Sequence, residues 1–230
     1  MTFCSDTPER FEITIHELGL CTAQPIQTGS PRTFSKNDCV VTMTSTGVTA
    51  DLANNVVSLP EMSGRPASNT YTHAYIIITN TFGLRGSVSI QNGSGDEVKY
   101  CSGTNGDSTA GTTAASGFCT AQDHTETLDD FGDESFSAYF APATMDGGGK
   151  VSALLTAADA NLTTATNTGE VERLIGVFET NSGTPVVINN STNGLEMQLT
   201  VTDIGYGIKF VYGEPYDFGS MPFKPVFATF

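Results

Sequence analysis

Residues 123–134 read DHTETLDDFGDE, and Asp129, Asp130, Asp133 and Glu134 within them are the chain's candidate ligands for a hard cation. Calcium takes six to eight oxygens, and closely spaced carboxylates in one loop supply several. The spacing is not that of an EF-hand loop, and a run of charge ordinarily faces water. A solvated acidic loop is therefore the preferred reading, with calcium kept as a candidate cofactor only.

The three histidines, His16, His73 and His124, contain no His-Glu-x-x-His pair, which sets aside a zincin-type site. His16 and His73 fall in strand-like stretches, where a solvent-facing or hydrogen-bonded imidazole is ordinary. NGSGD at 92–96 is not a Gly-x-Ser-x-Gly elbow and suits a hairpin turn instead. DGGGKV at 146–151 lacks the earlier glycine of a phosphate loop and has Val151 where Ser or Thr is needed. No catalytic residue is assigned. A carboxylate pair acting on a glycosidic bond stays open, although the chain has no Trp to serve as a stacking platform for sugars.

The five cysteines are Cys4, Cys21, Cys39, Cys101 and Cys119. None lies in a Cys-x-x-Cys motif, which disfavours zinc. None has a basic neighbour in sequence to lower its pKa, which disfavours a catalytic thiol. Structural bridges fit better, in an oxidising medium. Cys21 to Cys39 and Cys101 to Cys119 each span 18 positions, and each bridge would staple a loop at its neck, contributing about 3 kcal/mol on a chain-entropy account. Cys4 is then left free or bridged between chains. Pairing Cys4 with Cys21 instead would leave Cys39 alone, and spacing does not exclude it. The word Cys-Thr-Ala-Gln occurs at both Cys21 and Cys119, but the flanking halves do not align, so a true internal repeat is not indicated.

What must position these residues is a strand-rich chain. Phe11, Ile13 and Ile15 alternate with polar residues, as in a half-buried strand. Further strand candidates are 39–46, 71–80, 85–91, 97–100, 135–140, 150–156, 171–179, 185–188, 195–202, 207–212 and 225–230, separated by turn pairs such as Asn92-Gly93, Asn105-Gly106 and Asn193-Gly194. The stretch 151–160 is the one candidate for a short helix. Residues 102–117 have no side chain larger than Asn or Asp and predict a surface loop. The expected fold is all-β, β-sandwich or jelly-roll-like, as a single domain over 1–230, with any subdivision near 95–118.

Composition points the same way. Of 230 residues only 15% are charged, against 24 glycines, so Thr, Ser, Asn and Gly must build much of the surface, whereas ordinary domains carry about a quarter charged residues. Ten Lys and Arg against 25 Asp and Glu give a net charge of −15, with the basic residues scattered singly. That excludes a phosphate-neutralising patch, so nucleic acid is not an expected partner. An anionic membrane surface would repel the chain, and no apolar run approaches the roughly 20 residues of a membrane helix. The N-terminal residues lack a basic leader and an apolar stretch. An exported-looking composition without a leader implies either a leader already removed or exit inside a particle.

The C-terminal segment 213–230 holds Tyr216, Phe218, Phe223, Phe227 and Phe230 with prolines at 215, 222 and 225. It reads either as a last strand on its own sheet or as an extended arm that docks on a neighbouring subunit. On the second reading those five aromatic residues form the assembly interface, and deleting 213–230 leaves a folded chain that cannot assemble.

FEITIHELGLCTAQP, with Cys39 opening the next strand, and YTHAYIIITNTFGLRGSVSI resemble proteins of marine bacteriophages that are regarded as virion structural components. The resemblance covers mainly residues 3–45 and 68–90 and rests on strand and cysteine patterns. It implies an all-β surface or appendage protein of a phage particle and carries over no functional residue beyond the cysteines. The expectation is a non-enzymatic virion protein, in capsid decoration, tail or fibre, partnered by copies of itself as a homo-oligomer and by other virion proteins. The first alternative is a secreted bacterial filament subunit or adhesin at the cell surface. The second is a secreted calcium-dependent binding or hydrolytic domain.

Overall fold

The computed structural model describes residues 2–53, 59, 65–91, 94–112, 119–132, 134–145 and 148–230. Its strands begin with β1 (Thr2–Asp6), β2 (Arg10–Cys21), β3 (Ile26–Gln27), β4 (Thr33–Phe34) and β5 (Cys39–Asp51). They continue with β6 (Asn69–Tyr71), β7 (His73–Thr79), β8 (Thr81–Arg85), β9 (Ser87–Gln91) and β10 (Glu97–Ser102). Then come β11 (Ser108–Thr112), β12 (His124–Thr127), β13 (Tyr139–Thr144), β14 (Lys150–Thr156) and β15 (Arg173–Glu179). The last are β16 (Val186–Ile188), β17 (Leu195–Thr200), β18 (Tyr206–Val211), β19 (Glu214–Ser220) and β20 (Lys224–Thr229). The fold is all-β, and its helical pieces among the described residues are two short 3-10 turns.

β2 organises the largest sheet. On one side it pairs antiparallel with β5, from Glu12 opposite Asp51 to Cys21 opposite Cys39. On the other side its start faces β8 and the remainder faces β7. β7 and β8 therefore run on as one strand broken at Asn80, where the sheet forks: β7 leads on to β15, β14 and β13, and β8 leads to β12. Asn80 is buried, and its amide donates to the carbonyls of Leu128 and Val171, each at 3.3 Å. Those two bonds tie the branches together at the fork.

The sequence pattern explains which faces are covered. Phe11, Ile13 and Ile15 of β2 are buried and alternate with half-buried Glu12, Thr14 and His16, as a strand with one core face requires. In β7 the whole run from Ala74 to Ile78 is buried, the mark of a strand covered on both faces. On the first face Ile76 and Ile78 join the β2 residues in a cluster closed by Tyr206, Ile208 and Phe218, which come from the three-stranded sheet β1-β18-β19. On the second face Tyr75 and Ile77 join Leu154, Ile175 and Val177.

The cover of that second face is the stretch 22–38, which the sequence marks only as irregular. Its neck is closed by the expected Cys21–Cys39 bridge. Within it β3 and β4 form a small hairpin whose Ile26 is buried on the sheet and whose Phe34 ring meets Tyr75 edge-on at 5.2 Å. The Arg32 guanidinium lies 4.6 Å from the Tyr139 ring centroid, and the Arg32 carbonyl accepts a bond from Thr164 Oγ1 at 2.6 Å. The disulfide thus clips down a lid rather than a floppy loop. Tyr75 lies across Gly19, its partner on β2, where any Cβ would run into the ring. Its hydroxyl donates to Glu17 Oε1 at 2.6 Å, and Lys36 of the lid pairs with the same carboxylate at 2.9 Å.

Several expectations are corrected. The stretch 151–160 is not helical: Lys150–Thr156 is strand β14, its residues from Val151 to Thr156 all buried in the sheet. The expected strand over 135–140 starts later, at Tyr139, because the Asp130 carboxylate binds the backbone N–H groups of Gly132 and Ser137 and holds that stretch in a turn. Residues 102–117 are not loop throughout, since Ser108–Thr112 pairs with β10, a ladder that needs backbone groups and not large side chains. Residues 113–117 and the Asn92-Gly93 turn lie outside the described residues.

The largest correction concerns the C-terminal arm. Residues 214–220 form a hairpin with β18, and β20 pairs with β17 along its length. Phe218 stacks on Tyr206 with ring centroids 5.1 Å apart, and Phe223 packs edge-on against Phe11 at 6.0 Å. Phe227 is buried as well, and its backbone N–H and carbonyl are both bonded by the Asn181 amide. Phe218, Phe223 and Phe227 therefore belong to the chain's own core, because exposing three phenyl rings to water is far less favourable than burying them against neighbours such as Phe11, Tyr206 and Phe178. Deletion of 213–230 is expected to abolish the cooperative thermal transition, seen by circular dichroism, instead of leaving a folded chain. Gly19→Ala is expected to lower unfolding free energy by about 1–3 kcal/mol, the usual penalty for overpacking, read from urea melts.

Candidate functional site

The first face of the large sheet is not completely filled. Between it and the closing segment 220–223 lies a cavity of about 490 Å³, open on one side. Ile76 and Ile78 of β7, Phe178 of β15 and Val151 of β14 contribute to its walls, with the Phe131 and Phe140 rings, which sit 5.6 Å apart, and with Phe3 of β1. Phe3 is 56% exposed. The volume is in the range of small-molecule and side-chain binding pockets, about 300–1,000 Å³. Ser220 is the one lining residue with a polar side chain. Such a site can bury apolar surface; its described lining holds no charged or basic side chain with which to perform acid–base chemistry.

The cavity exists because of how its strands meet. Gly176 sits in its lining between the larger Ile175 and Val177 of the opposite face, and Ile76 and the Phe178 ring close in over it, where a Cβ would meet them at 3.2 and 3.3 Å. The segment 220–223 crosses from β19 to β20 and carries Pro222, which cannot donate to a ladder and so keeps the crossing out of the sheet.

The residues singled out in sequence fall in different places. Cys101–Cys119 is bridged like Cys21–Cys39, and Cys4 is free. Of the acidic candidates, Asp130 spends one oxygen on Gly132 and Ser137, at 2.7 and 2.8 Å, and those backbone donors, Ser137 first, hold its pKa below the usual carboxylate range. Asp129 and Glu134 join no group of three ligating side chains suited to a metal among the described residues, and Asp133 lies outside them. Of the five aromatic interface candidates only Tyr216 and Phe230 are exposed, at 63% and 70%. Tyr216 is the extra residue of a bulge in β19, and its ring takes the Lys209 ammonium at 5.7 Å. Phe230 lies over Gly194, with which it exchanges backbone hydrogen bonds.

A second group was not legible from sequence. His124 and Glu126 of β12 face the β19 hairpin, where Asp217 and Ser220 lie. His124 is 5% exposed, and neither ring nitrogen has a well-formed hydrogen bond to any described residue. Burial holds its pKa below the ordinary histidine value, with the nearby Gln122 backbone, Asp217 and Asp123 pulling the other way. Burial pushes Glu126 up, and Asp217 adds to the rise, while the Ser220 N–H at 2.6 Å opposes it. Asp217 is itself raised, first by partial burial. The nearest acidic neighbour of His124 in sequence, Asp123, instead pairs with Arg10 at 3.5 Å and Arg85 at 3.4 Å. Glu126 and Ser220 are 94 positions apart, and only the packing of the two sheets brings them together.

Comparison with protein-family models, curated proteins and solved structures returns no match.

The raised Glu126 carboxyl gives a pH signature. Below the ordinary glutamate value of 4.5 the group is protonated in both folded and unfolded chains and contributes nothing to the difference. Above its folded pKa it must carry charge in a largely enclosed place, which destabilises the fold. Glu126→Gln keeps the acceptor for Ser220 and removes that charge. Its melting temperature is expected to exceed that of the wild type at pH 8 and to equal it at pH 4, as measured by differential scanning calorimetry.

Proposed function

We propose that the chain is a non-enzymatic structural protein of a virus particle, a capsid decoration or a tail or fibre component, that works by assembly with copies of itself and with other virion proteins. The observation that carries this reading is the open apolar cavity beneath Phe3. An apolar hollow of that size beside an exposed phenyl ring is unfavourable in water and becomes favourable when a partner's apolar side chains fill it. Tyr216 and Phe230 extend the exposed aromatic surface, and interfaces are enriched in such residues. The Thr-, Ser- and Asn-rich acidic remainder supplies a surface that stays soluble between contacts.

The alternative, a secreted filament subunit or adhesin, is favoured by one specific feature. Two disulfides need an oxidising medium, which bacterial cytoplasm does not provide. In a virion the bridges close after release; in a secreted fibre they close on export. Quantitative proteomics of density-purified particles separates the two. Many copies in each genome-containing particle are expected for a virion protein, and enrichment in a DNA-free filament or membrane fraction would hand the case to the fibre.

A further inference from the structure

The strands β1-β18-β19 and β11-β10-β9 form two small sheets that pack on each other. On one side they are joined, for Asp107 bridges to Asp217 and the Gly106 carbonyl takes the Phe218 N–H at 3.0 Å. In the middle Tyr100 of β10 meets Phe210 of β18 edge-on at 5.6 Å. On the other side β9 lies near β1 with no backbone bond between them, and neither strand is paired on its outer side among the described residues. We propose that this open side is a contact between two copies of the chain, in which β1 of each copy pairs antiparallel with β1 of the other across a two-fold axis at Cys4. The contact is separate from the apolar cavity and holds for a virion protein or a secreted fibre alike.

Three features support it. The first is the state of the edge. The Cys4 carbonyl points at β18, 3.0 Å from where a Cβ on Gly207 would stand. Backbone groups alternate in direction along an antiparallel strand, so the N–H and carbonyl of Phe3 and of Ser5 point outward, where no described residue bonds them. Native proteins ordinarily blunt such edges. β13 ends the large sheet with Pro142 and a bulge between Phe140 and Ala143, and the outer side of β19 is taken up by Gly106 and Glu126. β1 and β9 have no Pro, Lys or bulge. The second feature is charge. Two copies of a chain with net charge −15 repel each other over most of their surface. β9 has no charged residue and β1 has only Asp6, at its end, so a like-charged copy can approach along this strip.

The third feature is fit. A two-fold axis at Cys4 sets Phe3 opposite Ser5 in hydrogen-bonded places and leaves the two Asp6 residues at opposite ends of the ladder. Cys4 then faces its own copy in a non-hydrogen-bonded place, where Cα atoms stand about 4.5 Å apart. Half-buried Cys4 and Ile90 pack on the core at the open side, and a second copy laid along it encloses both. Phe3 has the opposite parity to Cys4 and lines the apolar cavity, so the two contacts do not compete. The chain already builds a cross-strand cysteine pair of this kind, since Cys21 and Cys39 stand opposite each other in β2 and β5 with Cα atoms 4.0 Å apart. Cys4 is free and is therefore a reporter of the contact, while the ladder itself holds the copies together.

The test uses the full-length chain with both bridges formed. Sedimentation velocity is expected to show a concentration-dependent dimer, and NMR to show amide exchange at Phe3 and Ser5 slowing as the dimer fills. With copper phenanthroline and air, two Cys4 thiols give two protons and two electrons to oxygen and form one S–S bond. A covalent dimer linked Cys4 to Cys4 is then expected in the non-reduced peptide map. Cys4→Ser is expected to abolish the cross-link and keep the dimer. Ser5→Pro removes an outward N–H at an edge, where proline is tolerated, and is expected to keep the melting temperature and weaken the dimer about tenfold. The exchange and cross-link readouts use the unsubstituted sequence and decide the matter even where Ser5→Pro fails to fold. A chain monomeric up to about 1 mM, a dimer without the Cys4 cross-link, or a folded Ser5→Pro that dimerises as tightly as the parent would overturn the proposal. The last two outcomes would seat the second copy elsewhere, as on the apolar cavity, whose own test reads Phe131 and Met221.

Discussion

Tyr75 lies across Gly19 on the neighbouring strand, with its hydroxyl bonded to Glu17 and the lid's Lys36 on the same carboxylate. This contact ties β2 to β7 at the place where the sheet is covered on both faces, and most of the architecture follows from it. A side chain on Gly19 would lift the ring off β2. Phe34 would then lose its edge-on partner, and the lid closed by Cys21–Cys39 would lose its footing. Burial and the Glu17 bond both raise the Tyr75 pKa, so the phenol stays a donor throughout the physiological range.

With the second face sealed by the lid, the first face is the one left to make contacts. It is covered only in part by the β1-β18-β19 sheet, and the incomplete cover leaves the apolar cavity. The two disulfides hold different things. One presses apolar residues onto a sheet; the other steadies a polar turn beside His124. Both enclose 18-position spans in a chain poor in charge, where loops of Thr, Ser and Gly have little apolar surface of their own to hold them down.

How much of this the sequence discloses varies by residue. The alternation of Phe11, Ile13 and Ile15 and the apolar run in β7 reveal an all-β chain, since strand period and burial are local properties. The cysteine pairs are partly legible: Cys21 ends β2 and Cys39 opens β5, whereas Cys101 lies in β10 and Cys119 closes the small-residue stretch outside any strand, and spacing alone leaves Cys4 with Cys21 open. The C-terminal aromatics mislead for a physical reason. Phe218, Phe223 and Phe227 sit among prolines and glycines that suggest an arm, yet Pro215 tolerates a hairpin start and Phe227 finds a backbone partner in Asn181. The lid is hidden because Ile26 and Phe34 show no periodicity. The cavity is hidden because it depends on strand register. The cluster of His124, Glu126 and Asp217 depends on two sheets packing together, and spacing along the chain does not encode that.

Carbene footprinting read by mass spectrometry, on the free chain and on intact purified particles, tests most directly whether the apolar cavity is a place of assembly. Phe3, Phe131 and Met221 should be labelled strongly in the free chain and be protected in particles, while Tyr75 under the lid stays protected in both. Equal labelling of Phe3, Phe131 and Met221 in the two samples would mean that nothing fills the cavity on assembly, and the proposed role of that face would be wrong.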